Sequence, residues 1–283
     1  MIRPEDDSLP ITPGMSCEDA FRRIALPCLD EIDRQLAVFF GSDAEEGPHK
    51  TRVALRRLTT AMDAFAPILR RSLSALLRRE AKVIFRALGE QRDADVYLAG
   101  LPRARRTPVL LAEAGALREK LRADLRAAKA VAFAPRLRAL IGSAEMFRRG
   151  PKALARRAEP VDQFAREVMD EAWQTCLSHG KDVADMGGTD QHEFRKDLKS
   201  LRYLAEFFAD LWHGGSYGAF RDHMQELQDA LGHLNDLRTA RSKGRKITDE
   251  AEEKGRDALE AARTLWSGLR RSPPWWTAAA DEA

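Results

Sequence analysis

One pattern, written twice at a fixed separation, constrains this 283-residue chain more than anything else in it. His49-Lys50-Thr51-Arg52-x-x-Leu55-Arg56-Arg57-Leu58 returns 143 positions later as His192-Glu193-Phe194-Arg195-x-x-Leu198-Lys199-Ser200-Leu201. The same offset carries Phe21 onto Phe164, Phe65 onto Phe208, Leu88-Gly89 onto Leu231-Gly232 and Asp93 onto Asp236. A register kept over such a length without net insertion implies two copies of one structural unit. No segment alternates apolar and polar residues as a half-buried strand does, whereas helical periodicity recurs throughout. The expectation is therefore an all-α chain of two pseudo-symmetric four-helix bundles. Repeat 1 covers 15–150 and repeat 2 covers 155–283, while Pro4, Pro10, Pro13 and Gly14 make 1–14 an unstructured arm.

Within repeat 1, Ser16 is placed to cap a helix running to about Phe40. Further helices are expected over His49–Phe65, Ser72–Leu88 and Pro108–Lys129, with Gly89 as the cap that ends the third. Residues 135–160, interrupted by Gly142, Gly150 and Pro151, read as a connector with a helical middle. Repeat 2 follows the same order over Val161–His179, His192–Trp212, Tyr217–Leu231 and Thr248–Arg271, with Trp275 and Trp276 docking on the bundle.

The net charge of +3 conceals a strong asymmetry. Residues 1–48 carry a net −7, residues 49–152 a net +15, and residues 153–283 a net −5. A block of +15 repels itself unless it meets counter-charge, which points to a polyanionic partner. No stretch approaches the roughly 18 to 20 apolar residues that a membrane helix needs, so no membrane association is expected. The acidic start, MIRPEDDSLP, does not resemble a secretory signal. Cys17, Cys28 and Cys176 are odd in number and share no metal-type spacing, which suits buried thiols in a reducing cytoplasm.

The charge is organised on helix faces. At 100° per residue, Arg52 and Arg56 fall within about 60° of His49, opposite Leu55, Leu58, Met62 and Phe65. His192, Arg195, Lys199 and Arg202 share an equivalent stripe. So do Arg78, Arg79, Lys82 and Arg86, and again Arg118, Arg122, Arg126 and Lys129. Cations at i and i+4 stand about 6 Å apart along the axis, so each stripe presents positive charge at regular intervals. Arginine forks grip phosphate oxygens in pairs, and few carboxylates occupy the neighbouring i±4 positions.

These residues resemble the CHAD family, the conserved histidine α-helical domain. Its pattern is a His-x-x-Arg-x-x-x-Arg/Lys helix followed by Leu-Gly-x-x-Arg/Asn-Asp, present twice. Here they are His49/Arg52/Arg56 with Leu88-Gly89-Glu90-Gln91-Arg92-Asp93, then His192/Arg195/Lys199 with Leu231-Gly232-His233-Leu234-Asn235-Asp236. The resemblance covers about residues 15–275. It implies two four-helix bundles with a basic central cavity or groove, inorganic polyphosphate as partner, and association with polyphosphate granules. His49, Arg52, Arg56, His192, Arg195 and Lys199 carry over as binding residues. Arg78, Lys82, Arg86, Arg118, Arg122, Arg126 and Arg202 join them from the helical-face argument. Asp93 and Asp236 are expected to cap helices or hold arginines.

Two other readings compete with a non-enzymatic binder that needs no cofactor. A metal-dependent phosphohydrolase could use His49 and His192 with Asp93, Asp95 or Asp236. Yet no two histidines have ligand spacing, His213, His223 and His233 lie ten apart, and surrounding cations repel a metal ion. A nucleic-acid binder would want aromatic or amide groups among the cations, and the stripes hold almost none.

Overall fold

The computed structural model describes residues 10–212, 216–242, 244, 247–272 and 274–277. His213 and residues 1–9 of the expected arm lie outside them. Pro10–Gly14, the rest of that arm, are placed: Ile11 is buried and the Gly14 N–H donates to Asp162 Oδ1 at 3.3 Å. The described chain is all-α, with ten α-helices and a single isolated bridge between Leu69 and Phe147. It divides into two compact units, one built on Met15–Glu159 and the other on Pro160–Ala283 together with Pro10–Gly14.

In the first unit α1 (Cys17–Gly41), α2 (Glu46–Ala64), α3 (Arg71–Gly100) and α4 (Pro108–Ala127) pack successively on one another. Ser16 caps α1 as expected, its hydroxyl accepting from the Asp19 N–H at 3.1 Å. The core closes on Phe21, which meets the rings of Phe65 at 5.6 Å and Phe147 at 5.8 Å. The expected connector is instead two helices, α5 (Phe133–Gly142) and α6 (Pro151–Ala158). Pro135 and Pro151 both sit in first turns, where proline costs no helix hydrogen bond, so neither breaks its helix. Phe133, Ala134, Leu137 and Ile141 bury one face of α5, which packs against α1.

The larger departure is α3, which runs past Gly89 for eleven more residues. Gly89 does not adopt the left-handed backbone that a glycine cap requires. Its purpose is clearance for a neighbouring side chain.

In the second unit α7 (Val161–Ser178), α8 (Gly188–Phe207), α9 (Ser216–Ser242) and α10 (Asp249–Arg271) follow in the expected order, with α9 extending eleven residues beyond Leu231. Trp275 and Trp276 dock as expected. Trp276 packs edge-on to Trp173, and its Nε1–H donates to Asp170 at 2.8 Å. Phe164 and Phe208 are buried in this unit as Phe21 and Phe65 are in the first, so the repeated aromatics serve packing.

All three cysteines are free and buried, and burial raises the Cys176 thiol far above its usual range, with Asp197 adding to the shift. A buried neutral thiol is a poor nucleophile, so a thiol reagent applied to the native protein should label none of them within the time that labels all three in denaturant.

Candidate functional site

Arg52 is the centre of the first cationic face. It stands half-buried on α2, its Nη1 donating to the Phe85 carbonyl at 2.7 Å and its guanidinium 3.9 Å above the Phe85 ring. Arg56 stacks on the same ring at 5.2 Å, and His49 lies exposed one turn away. A side chain on Gly89 would overlap Arg52 Nη1, so the glycine of the Leu-Gly motif is what lets this arginine lie flat on α3. Burial and the neighbouring Arg56 and Arg92 guanidinium groups hold Arg52 below the ordinary arginine value, while Asp93 pulls the other way. Asp93 lies inside α3 and therefore caps nothing; it acts on Arg52 by its charge.

Along α3 the stripe behaves unevenly. Arg78 pairs with Asp63 at 2.5 Å, and Arg92 with Glu45 at 3.2 Å. Arg79, Lys82 and Arg86 are exposed and make no ion pair among the described residues. They form an open run of positive charge beside Arg52.

On α4 the expected stripe is divided. Arg118 and Arg122 are buried, not turned to solvent. Arg118 pairs with buried Asp95 at 3.0 Å, and Gln91 donates to the same Asp95 oxygen at 2.7 Å. Arg122 donates to the Phe39 carbonyl at 2.8 Å and pairs with Asp43 at 3.1 Å. The reason lies in the period: Arg118 and Arg122 share the face of Leu121 and Leu125, which packs inward. Their charges are already met, so neither is open to an external anion. Arg126 remains exposed, its guanidinium 5.2 Å from the centre of the Phe40 ring.

In the second unit Arg195 is half-buried on α8 and again faces the motif glycine, its Nη2 lying 3.8 Å from where a Gly232 Cβ would stand. It makes no ion pair among the described residues, and its buried Nε has no hydrogen-bond partner there. His192 is exposed and Lys199 half-buried. Arg202 is more committed, pairing with Glu206 at 3.1 Å and donating to Gln225 at 3.3 Å. On α9, Asp222, Gln225 and Asp229 stand where α3 carries Arg79, Lys82 and Arg86 at the same offset. The second face is consequently less positive. Asp236 lies within α9 and, like Asp93, caps nothing.

Among the described residues no group of three or more His, Cys, Asp or Glu side chains could hold a metal ion, and no helix is long and apolar enough to cross a membrane. A family model, the CHAD domain, matches residues 23–243. The chain belongs to the CHAD family. Solved structures agree on the fold. A CHAD domain from the plant Ricinus communis is 23% identical with a TM-score of 0.69, over 95% of this chain and 91% of that one. PptA from Streptomyces chartreusis is 14% identical with a TM-score of 0.60, over 91% of this chain and all of that one. No curated protein matches the sequence.

CHAD membership gives the repeated motifs a concrete geometry here. Sequence reasoning passed over Phe85 altogether, and it read Gly89 as a cap and Arg92 as part of a motif, not as neighbours of Arg52. The Leu-Gly-x-x-Arg element was the available signal: a glycine kept inside a helix commonly marks a close approach.

Proposed function

We propose that this CHAD protein binds inorganic polyphosphate without hydrolysing it, through the His49/Arg52/Arg56 face with Lys82, Arg86 and Arg126, and through the His192/Arg195/Lys199 face with Arg202. The observation that carries the reading is Arg52, held half-buried against Phe85 and Gly89, with burial, Arg56 and Arg92 opposing its charge and Asp93 offsetting them in part. A linear polyanion would relieve that repulsion along its length, and the exposed cations Arg79, Lys82 and Arg86 extend the same track. Arg78, already paired with Asp63, contributes less. We further propose that the two units are copies of one bundle, supported by the shared offset and by a glycine facing the motif arginine in each. Cytoplasmic placement on polyphosphate granules belongs to the same proposal.

Titration with polyphosphate tests it, with DNA and RNA as competitors. Polyphosphate should displace either nucleic acid far more readily than the reverse, and no orthophosphate should be released with added Mg²⁺ or Mn²⁺. Equal competition would favour a general nucleic-acid binder, and metal-dependent release lost in His49→Ala would favour a hydrolase.

Gly89 supplies a sharper check. Gly89→Ala forces Arg52 off its seat while adding a better helix former, so stability should hold or rise by up to about 1 kcal/mol. Polyphosphate affinity should nevertheless fall by about tenfold, since one charge-assisted contact is worth about 1.5–3 kcal/mol. Gly232→Ala, with Arg195 at an ordinary contact distance, should cost little. Equal behaviour of the two variants would contradict the role given to Arg52.

A further inference from the structure

The second unit contains a cleft that the polyphosphate reading leaves unused. The start of α8, the later half of α9 and the early half of α10 line an open cleft of about 300 Å³. That volume lies at the lower end of small-molecule sites. Leu234, Leu237 and Leu259, all half-buried, form its apolar floor, while half-buried Arg238 and exposed Arg241 and Arg256 complete the basic part of the lining. Gly255 leaves room for Leu237 in the floor, because a side chain there would overlap the Leu237 methyl group. The hollow along α6 is larger but lined from that single helix, so it has no second wall.

The charge of the cleft is not explained by the fold. Glu252 is the one carboxylate in the lining, and it pairs with Arg241 at 3.1 Å across two exposed side chains. Such a surface bridge is weak and readily exchanged. Arg238 is held by neutral groups, the Gly188 carbonyl and Gln191 Oε1, and so keeps its charge uncompensated. Arg256 makes no ion pair among the described residues. In the first unit the position at the same offset from Arg238 is Asp95, which neutralises buried Arg118. The second unit has inverted that charge beside an open apolar floor.

We infer that this cleft binds a small phosphate monoester with an apolar or aromatic body, of mononucleotide size. The phosphate engages Arg241 and Arg256, whose planar forks match its oxygens, and the body covers the three leucines. Inorganic polyphosphate has no apolar part to cover them. The leucine floor therefore selects an ester over a bare phosphate chain.

The test uses the whole protein with ¹³C-labelled leucine methyl groups and adenosine monophosphate, adenosine and inorganic phosphate as probes. The monophosphate should shift the Leu234, Leu237 and Leu259 signals saturably, with adenosine and inorganic phosphate each weaker by about tenfold or more. Arg256→Glu and Arg241→Glu should each weaken the monophosphate by about tenfold or more while leaving polyphosphate binding and the remaining leucine signals in place. The inference fails if adenosine shifts these methyls as strongly as the monophosphate, or if Arg256→Glu binds it like the parent protein. It also fails if added polyphosphate displaces the monophosphate and its response maps to the Arg195 face. Loss of polyphosphate binding in Arg52 variants leaves these outcomes untouched, so the two readings stand or fall separately.

Discussion

Reversing charge at Arg52 and Arg195 together should abolish retention on polyphosphate, with affinity falling by at least about a hundredfold, or about 3 kcal/mol. Each change removes a guanidinium that stands against a motif glycine and places a carboxylate amid cations. The single changes should not be equal. Arg52→Glu should cost more, because its surroundings carry Arg79, Lys82 and Arg86 where the second unit has Asp222, Gln225 and Asp229. Since Arg52 also donates to the Phe85 carbonyl, Lys82→Glu/Arg86→Glu provides a control confined to exposed side chains. It should weaken binding with the thermal midpoint unchanged. Binding that survives both the double reversal and Lys82→Glu/Arg86→Glu would remove these faces from the function.

Asp95→Ala should be the most destabilising of the charge deletions, at about 3–5 kcal/mol by thermal or denaturant unfolding. It strands Arg118, whose side chain is 6% exposed, with only the distant Asp43 at 3.9 Å. Asp95→Leu combined with Arg118→Met should recover most of that loss, because an apolar pair of similar volume needs no desolvation of charge. The sign on binding is what distinguishes the two arginine classes. Polyphosphate affinity per folded molecule should be unchanged in the double variant, since Arg118 is an interior residue. A large affinity loss there would return Arg118 to the binding face.

The repeated aromatics, the helix starts at Ser16 and Thr248 and the two motif arginines were legible in the sequence because each follows from local pattern and capping chemistry. Periodicity does not say which stripe of a helix turns inward. That is why Arg118 and Arg122 read as exposed, although Leu121 and Leu125 beside them and Asp95 seven residues after Leu88 marked a buried pair. Gly89 misled in a different way. Glycine after a leucine usually ends a helix, and only the approach of Arg52 from α2 explains a glycine that a helix runs through. Contacts between elements distant in sequence carry that information, and no local window contains them.

The most direct measurement of the central claim is polyphosphate affinity across rising ionic strength. If duplicated arginine faces hold the chain by displacing its counterions, log K should fall linearly with log salt, losing about 0.7–0.9 of slope per phosphate neutralised. A total slope of several units is expected, reduced by about one for each of Lys82→Gln and Arg86→Gln. A salt-independent affinity, or a slope that neither substitution alters, would contradict the account.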